Sequence, residues 1–283
     1  MNHPIKTLAS QEFPPLLTEI PDKPKQLFLR GVLPNHQKIL SVVGARKYSP
    51  YGKDVCERLI EGLRGYSIAI VSGLALGIDS IAHRAALKAG LYTLAIPGSG
   101  LSDNVLYPSL HRNLAKEILS SGGGLLSEFE EETRAAPWTF PRRNRIMAGI
   151  SHATLVIEAE KKSGTLITSR LATEYNRDVF TVPGSIFSKN SEGPHMLLRL
   201  GATPITSAEE LLDALGFEKD EKAEKNIDCS PQEKKILEIL HTPLSRDELI
   251  RQSKMTVSEA NTLLSIMEIK GLVEETLGEI RRS

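Results

Sequence analysis

The chain has 283 residues, of which 40% are hydrophobic, and its 35 basic and 35 acidic residues give a formal net charge of zero. A neutral chain carries no global positive field, so any nucleic-acid surface must be a local basic patch. Cys56 and Cys229 lie far apart without a CxxC pattern, which argues against a disulfide or a cysteine metal site. The sequence has no signal-peptide pattern and no run of about 18 apolar residues, so we expect a cytoplasmic protein without a membrane span.

Most of the chain alternates between short apolar runs and amphipathic segments. Residues 1–37 contain six prolines and predict an extended arm that lies on a core. Six apolar runs then predict strands at Ile39–Val43, Ile68–Val71, Tyr92–Ile96, Leu125–Ser127, Thr154–Ile157 and Val179–Val182. Helical patterns separate these runs at about 51–64, 77–89, 109–120, 142–150 and 164–176. Continuous apolar strands alternating with helices predict a Rossmann-like, doubly wound, mostly parallel α/β core over residues 38–215.

A charged segment separates this core from a small second domain. Residues 216–230 carry eight charges in fifteen positions, which predicts a solvated linker. Residues 231–283 contain three helix-start signals, at Ser230-Pro231, Ser245 and Thr256, followed by a hairpin pattern about Gly278. Three helices and a hairpin predict a winged-helix domain. Its eight basic and nine acidic residues give a net charge of −1, which favours protein contact or regulation over DNA binding.

The stretch from Trp138 to Thr165 carries the strongest functional signal. Arg142, Arg143 and Arg145 follow Trp138 and Phe140, and a predicted strand then leads to Lys161, Lys162 and the turn Ser163-Gly164-Thr165. Guanidinium groups bind phosphates, aromatic rings stack on bases, and a helix N-terminus offers amides to anions. The pattern favours a single-stranded nucleic acid as ligand. The alternative is a surface helix with ion-paired arginines.

Other strand ends carry weaker signals. The sequence VVGARKYSPYG at 42–52 resembles the first turn of a dinucleotide fold but lacks GxGxxG, and Arg46 and Lys47 occupy the pyrophosphate position. In SGLALGIDSIAH at 72–83, Asp79 and His83 share one helical face, but Ser72 lacks the G-x-S-x-G elbow of a serine hydrolase. The histidines show no ligand spacing. We therefore predict no catalytic residue, no metal and no cofactor.

Six motifs in order carry a family resemblance: SGLALGIDSIAH, LYTLAIPGSGLSDNVLYP, GGGLLSEF, FPRRNRIMAGIS, LVIEAEKKSGTLITSRLA and NRDVFTVPGS. Together they resemble the DNA-processing protein A family, also called Smf, over about residues 12–215. The tail resembles the winged-helix module often appended to that family. Many members also carry an N-terminal helical domain, whereas this chain begins almost at the core.

The resemblance implies a non-enzymatic, single-stranded-DNA-binding protein. It would protect incoming DNA and promote loading of the RecA recombinase in natural transformation and homologous recombination, as a homodimer. It also implies phosphate contacts from Arg46, from Arg142, Arg143 and Arg145, and from the turn Ser163, Gly164 and Thr165. Their neighbours in the same motifs complete the predicted DNA-binding residues: Lys47, Gly73, Phe140, Asn144 and Lys162.

Two other function classes stay open at this point. The first is a Rossmann-type nucleotide-processing enzyme such as a phosphoribohydrolase, whose PGGxGTxxE signature has only SGTLITSR as a counterpart here. Glu128, Glu158 and Glu160 lie at strand ends and would be its candidate carboxylates. The second is a winged-helix transcription regulator, which needs a basic recognition helix. The predicted helix Val257–Lys270 has one base, Lys270, against two glutamates.

Overall fold

A nine-stranded sheet organises the larger of the two units into which the chain divides, Met1–Lys219 and Asp220–Ser283. The structure, a computed structural model, describes residues 3–217, 230–240, 242–253, 255–270, 272–276 and 278–282. The predicted linker at 216–230 falls mainly on residues outside these ranges, as does Cys229. Within the described residues, no helix is both long and apolar enough to cross a bilayer.

The strands of the large sheet are β1 (Ile5–Leu8), β2 (Leu27–Gly31), β3 (Lys38–Val43), β4 (Ile68–Ser72), β5 (Tyr92–Ala95), β6 (Gly124–Ser127), β7 (Ala153–Val156), β8 (Asp178–Thr181) and β9 (Thr203–Pro204). Their spatial order is β1-β2-β6-β5-β4-β3-β7-β8-β9. Strands β3 to β9 pair in parallel, whereas β1–β2 and β2–β6 are antiparallel. The chain therefore winds outward from β3 in one direction, then returns to β7 on the other side of β3. This topological switch point is where doubly wound sheets bind ligands.

Helices cover both faces of the sheet because its strands are apolar on both sides. Along β3, Leu40 and Val42 join one core cluster while Ile39 and Val43 join the other, as the two-residue period of a strand requires. The helices of this unit are α1 (Pro15–Thr18), α2 (Pro50–Glu61), α3 (Ile78–Lys88), α4 (Arg112–Ser120), α5 (Thr139–Ile150), α6 (Thr165–Glu174), α7 (Glu192–Arg199) and α8 (Ala208–Ala214). The predicted Rossmann-like fold class is confirmed.

The N-terminal segment has more regular structure than the extended arm expected for residues 1–37. Strand β2 pairs with β6 and β1 pairs with β2, so the segment widens the sheet by two strands. Leu17 of α1 and Leu27 of β2 are fully buried in the core cluster that also contains α5. The prolines do not prevent the strands from pairing, because they lie outside β1 and β2, and Pro15 is the first residue of α1, where a helix tolerates it.

The smaller unit is a winged helix, as predicted. It consists of α9 (Pro231–Ile239), β10 (Leu244–Ser245), α10 (Arg246–Ser253), α11 (Val257–Ile269), β11 (Val273–Thr276) and β12 (Glu279–Arg282). Capping boxes start α9 at Ser230 and α11 at Thr256. Arg246 ties the unit together, because its guanidinium contacts Glu275 of β11 at 2.5 Å and Glu268 of α11 at 3.4 Å.

Candidate nucleic-acid interface

A cleft of about 390 Å³ lies at the topological switch point, between the carboxyl ends of β3 and β7. Three segments wall it: the turn after β3, the first turns of α5, and the turn that opens α6. Most of the predicted DNA-binding residues line it, namely Arg46, Lys47, Phe140, Arg143, Asn144, Lys162, Ser163, Gly164 and Thr165. Gly73 lines a smaller cavity beside it that shares Arg46, Phe140 and Arg143.

An aromatic and cationic wall forms one side of the cleft. The exposed Arg46 guanidinium lies 5.3 Å from the centroid of the Phe140 ring, within cation–π range. Tyr107 packs beside Phe140 at 5.8 Å between ring centroids. Phe140 is fixed from below because Gly98, at the end of β5, brings its backbone close to the ring. The wall thus combines a positive charge with a flat apolar ring.

The opposite side of the cleft is the turn 163–165 at the N-terminus of α6. Ser163 Oγ accepts a hydrogen bond from Thr165 N at 3.2 Å, and Thr165 Oγ1 donates to Gly44 O at 3.1 Å, which ties the turn to the end of β3. Asn144 Nδ2 lies 3.4 Å from Gly164 O. A Cβ added at Gly164 would meet open space, so nothing shields this backbone from a ligand. Amides at a helix N-terminus suit an anion.

A buried arginine and a buried aspartate lie at the floor of the cleft, and each affects the pKa of the other. Arg143 and Asp79 are only 5% and 6% exposed, and Arg143 Nη1 donates to Ile96 O at 2.7 Å while Asp79 Oδ2 accepts from Gly73 N at 3.1 Å. Burial raises the pKa of Asp79, and the charge of Arg143 opposes that rise. Burial also lowers the pKa of Arg143. Gly73 is required here because a Cβ would overlap the Arg143 guanidinium.

The three arginines of the RRNR sequence do not lie together. Arg143 faces the cleft, whereas Arg142 and Arg145 lie on the other side of α5 and both contact Glu128 Oε2, at 2.7 and 2.5 Å. Helical geometry explains the split, because residues 142 and 145 are three positions apart and share a face that 143 does not. Arg145 also lies 3.9 Å from Asp22 and is 11% exposed. The alternative of ion-paired arginines therefore describes Arg142 and Arg145, while Arg143 belongs to the cleft.

Two of the three carboxylates considered for an enzyme, Glu128 and Glu158, have side-chain partners in the structure. Glu158 accepts hydrogen bonds from Ser49 N at 2.9 Å, Ser49 Oγ at 2.5 Å and Asn190 Nδ2 at 3.2 Å, so it holds the start of α2. Glu128 binds the two arginines. Glu160 lines the cleft and is exposed. Asn190, a cleft residue that the sequence did not indicate, also donates to Lys47 O at 3.1 Å.

The Asp79 and His83 side chains have separate partners. His83 Nδ1 lies 2.7 Å from Thr93 Oγ1, and burial, with His111 and Arg143, lowers the pKa of His83 to about 3. Ser72 Oγ donates to Val42 O at 2.7 Å. Hydrogen bonds to neighbouring strands thus account for the polar groups at the start of α3. Among the described residues, no group of three or more metal-ligating side chains occurs.

Family models match both units of the chain. The model described as DNA recombination-mediator protein A matches residues 5–216, and the model described as DprA winged helix domain matches residues 220–279. The chain belongs to the DNA recombination-mediator protein A family. The family resemblance read from the six motifs is thereby confirmed.

Relatives of this family support the assignment. Protein Smf of Escherichia coli is 42% identical over 217 residues, which is 76% of this chain but only 58% of that protein. DNA processing protein DprA of Streptococcus pneumoniae is 41% identical over 71% of this chain and 70% of its own length. A solved structure of that pneumococcal protein gives a TM-score of 0.70 at 38% identity, covering 75% of each chain.

A second solved structure bears on the ligand. DNA processing protein A of Helicobacter pylori is 28% identical, with a TM-score of 0.67 over 75% of this chain and 95% of that chain. That protein is described as binding single-stranded DNA in a unique mode.

Proposed function

We propose that the chain binds single-stranded DNA in the switch-point cleft with little dependence on base sequence. The observation that carries the proposal is the convergence, on one cleft, of an Arg46–Phe140 cation–π wall and the open turn 163–165. In the Arg46–Phe140 wall, the ring can stack on a base and the guanidinium can bind the neighbouring phosphate. The amides of the turn 163–165 can bind a further phosphate. The single-strand binding described for the H. pylori relative supports the same ligand.

Each cleft residue has a role in this proposal. Arg46, Lys47 and Lys162 neutralise backbone phosphates, and the amides of Ser163, Gly164 and Thr165 bind a further phosphate at the start of α6. Phe140 stacks on a base. Arg143 contributes charge from the floor, Asn144 supports the turn at 163–165, and Gly73 leaves room for Arg143. Arg142 and Arg145 contact the strand outside this cleft.

The wider role follows from family membership. We propose that the protein protects incoming DNA and promotes loading of a RecA-type recombinase during natural transformation and homologous recombination. It would act as a homodimer in the cytoplasm and without catalysing a reaction. The engagement of Glu158 and Asp79 in structural hydrogen bonds supports a binding role over an enzymatic one.

The decisive measurement compares single-stranded and double-stranded oligonucleotides of the same sequence over a salt series. We expect tighter binding to the single strand at about 0.15 M salt, because the bases of a duplex are already stacked and cannot reach Phe140. Several unrelated sequences should bind with similar affinity. Equal affinity for duplex and single strand would contradict the proposal.

A further inference from the structure

Helices α5 and α6 each present one face to the switch-point cleft and another face to a second groove. On α5, residues 140, 143, 144 and 147 line the cleft, whereas 141, 142 and 145 line the second groove. On α6, residues 165 and 168 line the cleft, whereas 167, 170 and 171 line the groove. These sets follow the three- and four-residue spacing of helical faces. The two helices therefore separate two concave surfaces that share no residue.

The second groove has a volume of about 910 Å³ and is mainly basic. The N-terminal segment 22–26 forms its far wall. Five lining residues are basic and two are acidic, a balance of +3: Lys23, Lys25, Arg142, Arg145 and Arg170 against Asp22 and Glu128. Two more carboxylates touch its rim, where Glu130 accepts from Gln26 and Glu174 pairs with Arg170. Exposed pairs of that kind are weak enough for a competing phosphate to replace.

The cations of the groove are of two kinds: arginines held by an ion pair with Glu128, and exposed lysines. Glu128 fixes Arg142 and Arg145 from below, and Arg142 nevertheless remains 52% exposed. Lys23 and Lys25 are exposed on either side of the buried Pro24, and neither has an ion pair with any side chain that the structure describes. Because Arg142 and Arg145 are already held in place, they lose little side-chain conformational entropy when they bind a phosphate.

Two aromatic rings, those of Phe129 and Trp138, lie beside Arg142. The Arg142 guanidinium lies 5.6 Å from the Phe129 ring and 5.7 Å from the Trp138 ring, and these two rings pack edge to face. Trp138 is 55% exposed, so one surface of its indole is available to a ligand. Phosphate-binding cations beside an exposed ring are the combination that binds single strands.

We propose that this second groove binds the continuation of the same DNA strand after it leaves the switch-point cleft. The two surfaces come closest in sequence at the start of α5, where Phe140 lines the cleft and the next residue, Pro141, lines the groove. Lys23, Lys25 and Arg170 bind backbone phosphates there, and Trp138 stacks on a base. The inference rests on the proposed function, because it extends the footprint of that strand.

The test uses oligothymidylates of about 6 and about 30 nucleotides, the shorter one able to occupy only one surface. In the full chain, Lys23→Ala with Lys25→Ala should weaken binding of the long oligonucleotide about tenfold. It should also reduce the slope of log K against log salt by about 1.4, which is about 0.7 for each lost phosphate contact. Binding of the short oligonucleotide should stay unchanged. Lys6→Ala with Lys116→Ala removes the same charge from exposed positions outside both grooves and should change neither affinity.

Trp138 gives an independent readout, because it is the single tryptophan of the chain. The long oligonucleotide should quench its fluorescence, and the short one, at equal occupancy, should not. If the lysine variant binds both lengths with unchanged affinity, the proposed DNA binding by the second groove is wrong, whereas binding in the switch-point cleft is unaffected. Equal losses at both lengths would also overturn binding by the second groove, because they would assign the lysines to the first cleft. Failure of the unaltered chain to bind any single strand would overturn the proposed function as well.

Discussion

At the scale of residues, Arg46 and Arg143 line the same cleft, but they differ in how much each contributes to the stability of the fold. Arg46 is exposed and stacks on Phe140, whereas Arg143 is buried against Asp79 and the carbonyl of Ile96. Removing Arg143 would leave the carbonyl of Ile96 without this hydrogen bond and would remove a positive charge that opposes the raised pKa of the buried Asp79, so it should also destabilise the fold. Arg46 is therefore the residue whose substitution reports on DNA binding alone.

Replacing Arg46 by alanine should weaken single-strand binding for all sequences alike and leave the free energy of unfolding nearly unchanged. The slope of log K against log salt should fall by about 0.7, since one phosphate contact is lost. Fluorescence anisotropy of labelled oligonucleotides over a salt series measures both effects. Arg58→Ala, an exposed arginine of α2 outside the cleft, is the matched control. An unchanged slope in the Arg46 variant would mean that this side chain does not contact the backbone.

His83 makes the stability of the larger unit depend on pH. Because burial lowers its pKa from 6.5 to about 3, the folded chain holds the imidazole neutral where the unfolded chain protonates it. This contribution to stability is fully present above about pH 6.5 and is lost as the pH falls towards 3. Between about pH 7.5 and about pH 5 the loss should be about 2 kcal/mol, because the slope approaches about 1.4 kcal/mol per pH unit only below the unfolded pKa.

Urea unfolding followed by Trp138 fluorescence at about pH 7.5 and about pH 5 tests this expectation. His83→Gln keeps a side chain that can bond Thr93 but cannot titrate, so its stability should fall less between the two pH values than that of the unaltered chain. The decrease in the free energy of unfolding between the two pH values is compared in the variant and in the unaltered chain. The difference between these two decreases reports on His83, because the titration of all other groups cancels. Equal falls would show that His83 does not titrate with a lowered pKa.

At the scale of elements, strong periodicity made most of the fold predictable. The six predicted strands are found within one residue at each end, because fully buried parallel strands are continuous apolar runs. Strands β1, β2 and β9 of the large sheet were not predicted, and β2 was missed because the prolines of residues 1–37 indicated an extended arm although Leu27, Phe28 and Leu29 are buried. β1 lies at the edge of the sheet with only Leu8 buried, and β9 has two residues, so neither has an apolar pattern to detect.

Spacing within the predicted helix separates Arg143 from Arg142 and Arg145, but it does not tell which of the two faces lies toward the cleft. The predicted helix began at residue 142, but α5 begins at Thr139, whose hydroxyl donates to Gly98 O at 2.6 Å and fixes the helix to the end of β5. Pro141 is tolerated because it lies in the first helical turn. The anchor at Gly98 is a tertiary contact, which a local pattern does not contain.

At the scale of the whole molecule, most cations of the winged helix that the structure describes are paired with carboxylates of the same unit. Arg246, Arg251 and Arg281 pair with glutamates of the same unit, and Lys270 Nζ lies 2.8 Å from Glu233 Oε1. The exposed Val257 and Ile266 of α11 lie where a DNA-reading helix would need polar or basic groups. These features favour protein contact, as the net charge of −1 already indicated.

Deleting residues 231–283 should therefore leave single-strand affinity within about tenfold, or about 1.4 kcal/mol, of the full chain. A chain ending near Gly216 retains all nine strands and both grooves, and it should fold because the larger unit has its own core. Circular dichroism and thermal unfolding verify the fold before the oligonucleotide titration. A larger loss of affinity in a folded truncation would assign DNA contacts to the winged helix.

The position of β2 in the sheet has a consequence for synthesis of the chain. Phe28 of β2 pairs with Ser127 of β6, a residue that the ribosome adds 99 positions later. At about 5 to 20 residues per second, β2 waits about 5 to 20 s for its partner. During that time Leu27, Phe28 and Leu29, all buried in the finished protein, are exposed on the nascent chain. The first two strands to be made are thus secured in the sheet only after β3 to β6 have followed them, and their apolar side chains are accessible to chaperones during that time.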